Sequence, residues 1–260
     1  MSDLDAVFAR CRDEGRAALV TYLPAGYPDL PGSISAARAV VESGADIVEV
    51  GVPYTDPLMD GVVIQQAATQ ALAKGFRFAQ LLEVVAAVRD AGAVPVVMSY
   101  YNPVLRHGPA RFAEELSAAG GAGLITPDLI PDEAQVWRDA AAEHGVDPIF
   151  LVAPSSTDER LALTTQACRG FVYVASTMGV TGARDHVGDG AVRLVERTRA
   201  VTDLPLCVGL GVSDGTQARQ VASFADGVIV GSALVRALGG DPTLESLRAL
   251  TRELAAGVRG

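Results

Sequence analysis

The chain has 260 residues, of which 49% are hydrophobic and 27 are glycine. This length suits one closed barrel of eight β/α units, although two ordinary domains would also fit within it. The net charge of −10 argues against nucleic acid and anionic membrane surfaces as partners, because both are negatively charged. The chain has no apolar run near the ~20 residues of a membrane span, and its first ten residues do not resemble a signal peptide, so we expect a soluble, cytoplasmic protein.

Short apolar segments rich in β-forming residues alternate along the chain with longer segments of helical period. Eight strands are predicted at 18–22, 47–51, 94–99, 123–127, 148–152, 171–175, 205–209 and 227–230. Helices are predicted at 31–43, 62–74, 79–91, 109–119, 132–144, 158–168, 190–201 and 214–223, with a final amphipathic segment at 243–256. Eight apolar strands, each followed by a helix, indicate a parallel sheet that is buried on both faces.

A doubly wound sheet is the alternative to a barrel for such a pattern. Eight units in this length, with no break in composition, favour closure. We therefore predict a single (β/α)8 TIM-barrel domain spanning residues 1–260, with extra helical segments at its N- and C-termini. In such a barrel the active site lies on the loops that follow the C-terminal ends of the strands.

Glu49 interrupts the otherwise apolar strand 47–51. A buried carboxylate is unfavourable unless it is paired, hydrated or protonated, so a structural ion pair is one interpretation. Its position near the C-terminal end of the strand favours a functional one, and burial would raise its pKa towards neutrality. The next loop carries Asp56 and Asp60, either of which can be a turn residue. Asp60 at the same barrel mouth would complete an acid–base pair with Glu49.

The lysine and the cysteines of the chain limit the reaction mechanisms that it can use. Lys74 is the only lysine, at the predicted exposed end of a helix, whereas a Schiff-base mechanism needs a lysine in an apolar pocket. The cysteines, Cys11, Cys168 and Cys207, lack metal-ligand spacing, and the three histidines are isolated. We therefore expect reduced, buried thiols, no metal site and no Schiff-base chemistry.

Glycines at the ends of the last two strands predict a phosphate site. The seventh strand runs into a Gly-Leu-Gly segment at 209–211, and the eighth into Gly231 and Ser232 at the start of a helix. Glycine lets the backbone approach an anion, and free N–H groups at a helix N-terminus bind it. Phosphate sites recur at this place in barrels. The loop at 176–182 has hinge-like glycines and would close over the site as a lid.

These motifs, in this order and over essentially the whole chain, resemble the α subunit of tryptophan synthase. The glutamate loop at 49–61 is the most specific of them, whereas the short glycine motifs are weak alone. The other segments that carry the resemblance are 22–28, 100–103, 127–129, 179–182, 209–211 and 231–232. The resemblance implies a lyase of tryptophan biosynthesis that cleaves indole-3-glycerol phosphate to indole and glyceraldehyde 3-phosphate.

The resemblance also implies roles for individual residues. Glu49 matches the catalytic glutamate, Asp60 the aspartate that meets the indole N–H, and Tyr173 the tyrosine beside them. Phosphate-binding positions are matched by Gly182, Gly211, Gly231 and Ser232. Positions lining the indole pocket are matched by Tyr22, Tyr100, Ile125, Leu151 and Leu210, and Thr181 lies in the lid. The chain departs from the family pattern at Leu210, where many members have Phe, at Val62, where Pro is frequent, and at Thr177, where some members have Arg.

The residues also suit this chemistry when the resemblance is set aside. Breaking the bond between the indole ring and the glycerol chain needs an electron sink, and without a pocket lysine or a metal site the substrate itself must supply it. Protonation of the ring carbon by Glu49, with Asp60 stabilising charge at the ring nitrogen, makes the ring that sink. Glu49 then takes the hydroxyl proton as the bond breaks.

A partner is implied by the same resemblance. It is a β subunit that carries pyridoxal phosphate and consumes the indole in an allosteric αββα heterotetramer, while this chain itself needs no cofactor. Asp56, Pro57 and Asn102, expected on loops at the barrel mouth, are the candidates for that contact. Three alternatives stay open. The first is another phosphate-handling barrel, such as the synthase that makes indole-3-glycerol phosphate or a sugar-phosphate isomerase. The others are a stand-alone indole-releasing lyase and a non-catalytic barrel that activates its partner.

Overall fold

The computed structural model describes residues 2–175, 189–209 and 211–260. In these residues nine parallel strands form one sheet. The strands are β1 (Ala18–Pro24), β2 (Ile47–Gly51), β3 (Val94–Met98), β4 (Gly123–Ile125), β5 (Asp147–Ile149), β6 (Leu151–Val152), β7 (Val172–Ala175), β8 (Leu206–Gly209) and β9 (Gly227–Val230).

Twelve α-helices accompany the strands in the part of the chain that the structure describes. They are α1 (Asp3–Asp13), α2 (Leu30–Glu42), α3 (Val62–Ala73), α4 (Leu81–Ala91), α5 (Tyr101–His107), α6 (Pro109–Ala119), α7 (Gln135–His144), α8 (Asp158–Ala167), α9 (Asp189–Arg199), α10 (Gly215–Ala222), α11 (Ser232–Gly240) and α12 (Glu245–Arg259). None of these helices is long and apolar enough to cross a membrane.

The sheet closes into a barrel at its fifth predicted strand. The strand order is β5-β4-β3-β2-β1-β9-β8-β7-β6, and β5 and β6 are separated only by Phe150. The first half of this strand pairs with β4 and the second half with β7. The Tyr173 N–H donates to the Phe150 carbonyl at 3.1 Å, across the interruption. The predicted eight-unit TIM barrel is therefore confirmed, with its fifth strand divided in two.

Alternation along the strands separates two cores, because successive side chains point to opposite faces of a sheet. On β2, Val48 and Val50 belong to the large cluster between the sheet and the helices. Ile47 belongs to a second cluster inside the barrel, which also contains Val20, Ile125 and other residues of the strands. The side chain of Glu49, two residues after Ile47, is therefore directed into the barrel.

The helix α1 closes the end of the barrel opposite to the strand C-termini. It begins at a capping box in which Ser2 and Asp5 bond each other's backbone N–H groups. Its buried residues Leu4 and Phe8 join the interior cluster, where the ring of Phe8 meets Phe171 edge-on. Among the described residues, α1 covers one end of the barrel, so a ligand is expected to enter from the end where the strands finish.

The helix α5 was not predicted, because Tyr101–His107 was expected to be part of a loop. It has only seven residues, too few to show a periodic apolar pattern. Pro103 lies in its first turn, where a missing N–H costs no helical hydrogen bond. Asn102 therefore lies on this helix and not on a loop.

Candidate active site

The pleat of β2 directs the Glu49 side chain into the barrel, two residues before the strand ends at Gly51. It is only 1% exposed. Its register partners on the neighbouring strands are Tyr22 on β1 and Val96 on β3. The carboxyl group thus lies among apolar and aromatic side chains near the open end of the barrel.

The surroundings of Glu49 favour its protonated form. Within the described part of the chain, neither carboxyl oxygen has a hydrogen-bond partner. Burial alone raises the pKa of Glu49 from 4.5 to about 8. A structural ion pair, the alternative interpretation of this residue, is not seen among the described residues. A carboxyl group with this pKa can donate a proton near neutral pH and take it back afterwards.

Asp60 lies at the end of the loop between β2 and α3, which we call the 52–61 loop. It is half-buried. Burial raises the pKa of Asp60 to about 6, against the opposite effect of a hydrogen bond with the Tyr100 side chain. The two candidate acid–base residues therefore differ: near pH 7 Asp60 is mostly ionised and Glu49 mostly protonated.

The walls of the site come from several strands. Ile125 ends β4 and is fully buried, while Leu151 on β6 and Tyr173 on β7 are partly exposed register partners. All three belong to or pack against the interior cluster. A Cβ atom placed on Gly209 would lie 2.7 Å from the Tyr173 hydroxyl, so this hydroxyl crosses over to β8.

Tyr22 forms the wall next to β9. Its buried side chain packs with Ile64 of α3 and Val235 of α11. Burial, followed by the charges of Asp60 and Glu49, raises the pKa of the Tyr22 hydroxyl well above its usual value. Tyr22 is therefore a neutral aromatic surface beside the two carboxyl groups.

The glycine motifs of the last two strands lie side by side. Gly209 on β8 pairs with Ile229 on β9, so Gly211 and Gly231 both follow two residues later. Gly211 has a φ of 74°, which glycine adopts without strain. Gly231 precedes α11, whose first residue, Ser232, is 8% exposed. The first N–H groups of a helix lack intrahelical acceptors, so this helix start can bind an anion.

The residues expected to meet a partner lie at the same end of the barrel as the site. Asp56 is exposed and Pro57 half-buried on the 52–61 loop. Asn102 is exposed on α5, and its side-chain N–H donates to the Tyr54 hydroxyl at 3.0 Å. Leu58, in the same loop, is 75% exposed. These residues form a surface around the mouth that is continuous with the site.

Three predicted site residues, Thr181, Gly182 and Leu210, lie outside the described residues. Sequence reasoning also missed one feature of the site. The hydroxyl of Tyr100, expected in the wall of an indole pocket, bonds to the backbone of the 52–61 loop. No local sequence pattern predicts a contact between residues about 40 positions apart, so the folded structure is needed to find it.

Comparisons with known proteins agree with this geometry. The sequence model of the family described as tryptophan synthase alpha chain matches residues 8–258. The tryptophan synthase alpha chains of Nocardia farcinica and Mycobacterium avium are each 62% identical over 258 residues, which cover 99% of this chain and 96% and 95% of theirs.

Solved structures agree as well. A chain of Mycobacterium tuberculosis tryptophan synthase superposes with a TM-score of 0.96 at 60% identity, covering 100% of this chain and 99% of that one. A chain from the tryptophan synthase a2b2 complex of Pyrococcus furiosus gives a TM-score of 0.87 at 34% identity, covering 93% and 98%. The chain belongs to the tryptophan synthase alpha chain family.

Proposed function

We propose that this chain cleaves indole-3-glycerol phosphate to indole and glyceraldehyde 3-phosphate, as its family implies. The observation that carries the proposal is Glu49: a carboxyl group inside the barrel, without a hydrogen-bond partner among the described residues and with a pKa of about 8. Such a group is protonated at neutral pH and stands where a substrate enters. It has the properties of a general acid that later becomes a base.

The reaction balances with these residues alone. Glu49 gives its proton to the indole carbon that bears the glycerol chain, and the positive charge that develops at the ring N–H is stabilised by the ionised Asp60. Glu49, now a carboxylate, takes the proton of the adjacent hydroxyl. The carbon–carbon bond breaks, its electron pair returns to the ring as neutral indole, and the chain leaves as an aldehyde. Tyr173, Tyr22, Ile125 and Leu151 would hold the flat ring between them.

The phosphate would bind where β8 and β9 end. Gly211 and Gly231 permit close approach of the backbone, and the start of α11 directs N–H groups at the anion. The substrate would then lie with its ring inside the barrel and its phosphate at the rim. This binding mode uses backbone dipoles instead of cationic side chains, which suits a protein with a net charge of −10.

A β subunit is the partner that we propose for this chain, through the surface made by Asp56, Pro57 and Asn102. The Pyrococcus furiosus relative is described as mutually activated in an a2b2 complex. We propose the same αββα arrangement here, in the cytoplasm, with pyridoxal phosphate on the β subunit and no cofactor required by this chain.

The test is release of indole and glyceraldehyde 3-phosphate from the purified chain, with and without a β subunit. We expect both products in equal amounts, and faster release when the β subunit is present. Absence of products under both conditions would contradict the activity. Equal rates would leave the lyase intact but refute activation by the partner.

A further inference from the structure

Tyr100 stands at the point where β3 gives way to α5. Its backbone is extended just before the helix, with φ −58° and ψ 149°, and its side chain is only 5% exposed. The ring packs against Tyr54 with their centroids 5.3 Å apart. The side chain therefore leaves a strand end of the barrel and runs under the 52–61 loop.

The hydroxyl of Tyr100 bonds to three successive residues of that loop. It accepts the N–H groups of Leu58 and Met59, each at 2.9 Å. A phenol oxygen that accepts two N–H groups still has its own O–H to donate, and the Asp60 carboxyl group is its hydrogen-bond partner.

Residues 58–60 have few other contacts with the residues that the structure describes. Leu58 is 75% exposed, so its side chain contributes little packing. The Gln65 side chain donates to the Asp60 carbonyl at 2.8 Å, which fixes the backbone but leaves the carboxyl group unconstrained. Within the part of the chain that the structure describes, the Tyr100 hydroxyl couples the loop backbone and the Asp60 side chain to the end of a barrel strand.

We propose that Tyr100 is a positioning residue that holds the Asp60 carboxylate, through one hydroxyl, in the orientation that the indole N–H requires. The inference rests on the role proposed above for Asp60. This role differs from that of a residue in the wall of the indole pocket, because it depends on the hydroxyl of Tyr100 and not on its ring.

The hydrogen bond has an electrostatic consequence. It favours the ionised form of Asp60 and so opposes the effect of burial on the pKa. Among the described residues, the other titratable side chains that interact electrostatically with Asp60 are Tyr22 from β1 and Tyr173 from β7, and Glu49 from β2 acts on the same two tyrosines. Both tyrosines are near Asp60 in the wild type already, so the loss of the Tyr100 hydroxyl adds no new donor from them. Without the Tyr100 hydroxyl, the pKa of Asp60 should rise.

The test compares Tyr100→Phe with Tyr101→Phe. The second variant removes the hydroxyl of the next residue, which makes no hydrogen bond to the 52–61 loop, and so controls for the loss of a phenol. We expect Tyr100→Phe to lower kcat/KM at pH 6 by about fivefold and to shift the acidic limb of the kcat/KM profile upwards by about one pH unit. Activity should recover at higher pH, and Tyr101→Phe should follow the wild type.

Each other outcome overturns the proposal. A Tyr100→Phe profile that matches the wild type would show that the hydroxyl does not act on Asp60. A uniform loss at every pH, with unchanged unfolding and circular dichroism, would assign Tyr100 to the pocket wall instead.

A second measurement does not depend on turnover. A carbon-13 titration of the Asp60 carboxyl group, assigned with Asp60→Asn, should give a higher pKa in Tyr100→Phe than in the wild type, and an unchanged pKa would also refute the proposal. If instead Asp60→Asn itself keeps wild-type turnover, the role proposed for Asp60 fails, and the carbon-13 titration still decides whether Tyr100 tunes this carboxyl group.

Discussion

Tyr22 on β1 and Glu49 on β2 are register partners, so their side chains enter the barrel at the same level. The Tyr22 ring also covers Gly51, the last residue of β2: a Cβ atom there would lie 2.5 Å from two of its ring carbons. The carboxyl group of Glu49 is thus walled by an aromatic ring on one side and by apolar strands on the others. This wall explains why burial dominates the pKa of Glu49.

The pH dependence of the cleavage rate should be bell-shaped. The reaction needs Glu49 protonated, which holds below its pKa of about 8, and Asp60 ionised, which holds above its pKa of about 6. The kcat/KM profile of the purified chain reports these groups in the free enzyme, and we expect its maximum between these values. A profile that rises steadily beyond pH 9 would contradict the acid role of Glu49.

The stability of the fold should decrease as pH rises. The pKa of Glu49 is 4.5 ordinarily and about 8 in the fold, so the folded state binds more protons between these values. The free energy of unfolding therefore falls from about pH 4.5 to pH 8, by on the order of a few kcal/mol from this group. Glu49→Gln, which stays neutral, should remove most of that fall in urea unfolding at pH 5 and pH 9.

Glu83→Gln is the matched control, because Glu83 is exposed on α4 and remains in water in both states. It should reproduce the wild-type pH dependence. If the free energy of unfolding falls between pH 5 and pH 9 by the same amount in Glu49→Gln as in Glu83→Gln, then Glu49 does not have the raised pKa that the mechanism uses.

Gly51→Ala should destabilise the protein by about 1–3 kcal/mol, because the added methyl group would overlap the buried Tyr22 ring. Gly231→Ala provides the comparison: its Cβ would meet the same tyrosine at an ordinary distance of 3.5 Å. Thermal unfolding of the two variants distinguishes them. Equal melting temperatures would mean that Tyr22 is not held against Gly51.

The barrel could be predicted from the sequence, because the patterns that indicate its strands and its helices are both local. Apolar strands and helical periods place each unit, and β2 was predicted with the bounds it has, Ile47–Gly51. The division of the fifth strand at Phe150 was missed, since it arises only when that strand pairs with β4 on one side and β7 on the other.

The site was less predictable than the fold for the same reason. A single acidic residue in an apolar strand marks Glu49 from sequence alone. The contact between Tyr100 and Leu58 joins residues 42 positions apart. Leu58 is one of several large apolar side chains that are exposed among the described residues, so its residue type does not predict its exposure. Its exposure depends on how the loop is held, which composition does not reveal.

Ser232→Ala should weaken substrate binding more than turnover. Ser232 is the first residue of α11, and we assign its hydroxyl to the phosphate. Loss of one hydrogen bond to a charged group should raise KM by about tenfold or more, with kcat little changed. Ser223→Ala, at the end of α10, is the control. A fall in kcat with unchanged KM would refute a role in phosphate binding.

In the proposed mechanism, Glu49 transfers the protons of the cleavage. The most direct measurement is single-turnover cleavage of indole-3-glycerol phosphate by Glu49→Gln, with substrate binding measured separately and Glu83→Gln as the control. We expect cleavage to fall by ~10²–10⁴-fold or to become undetectable, while fold and substrate affinity stay near those of the wild type. Cleavage by Glu49→Gln within a few fold of the wild type would contradict the assignment.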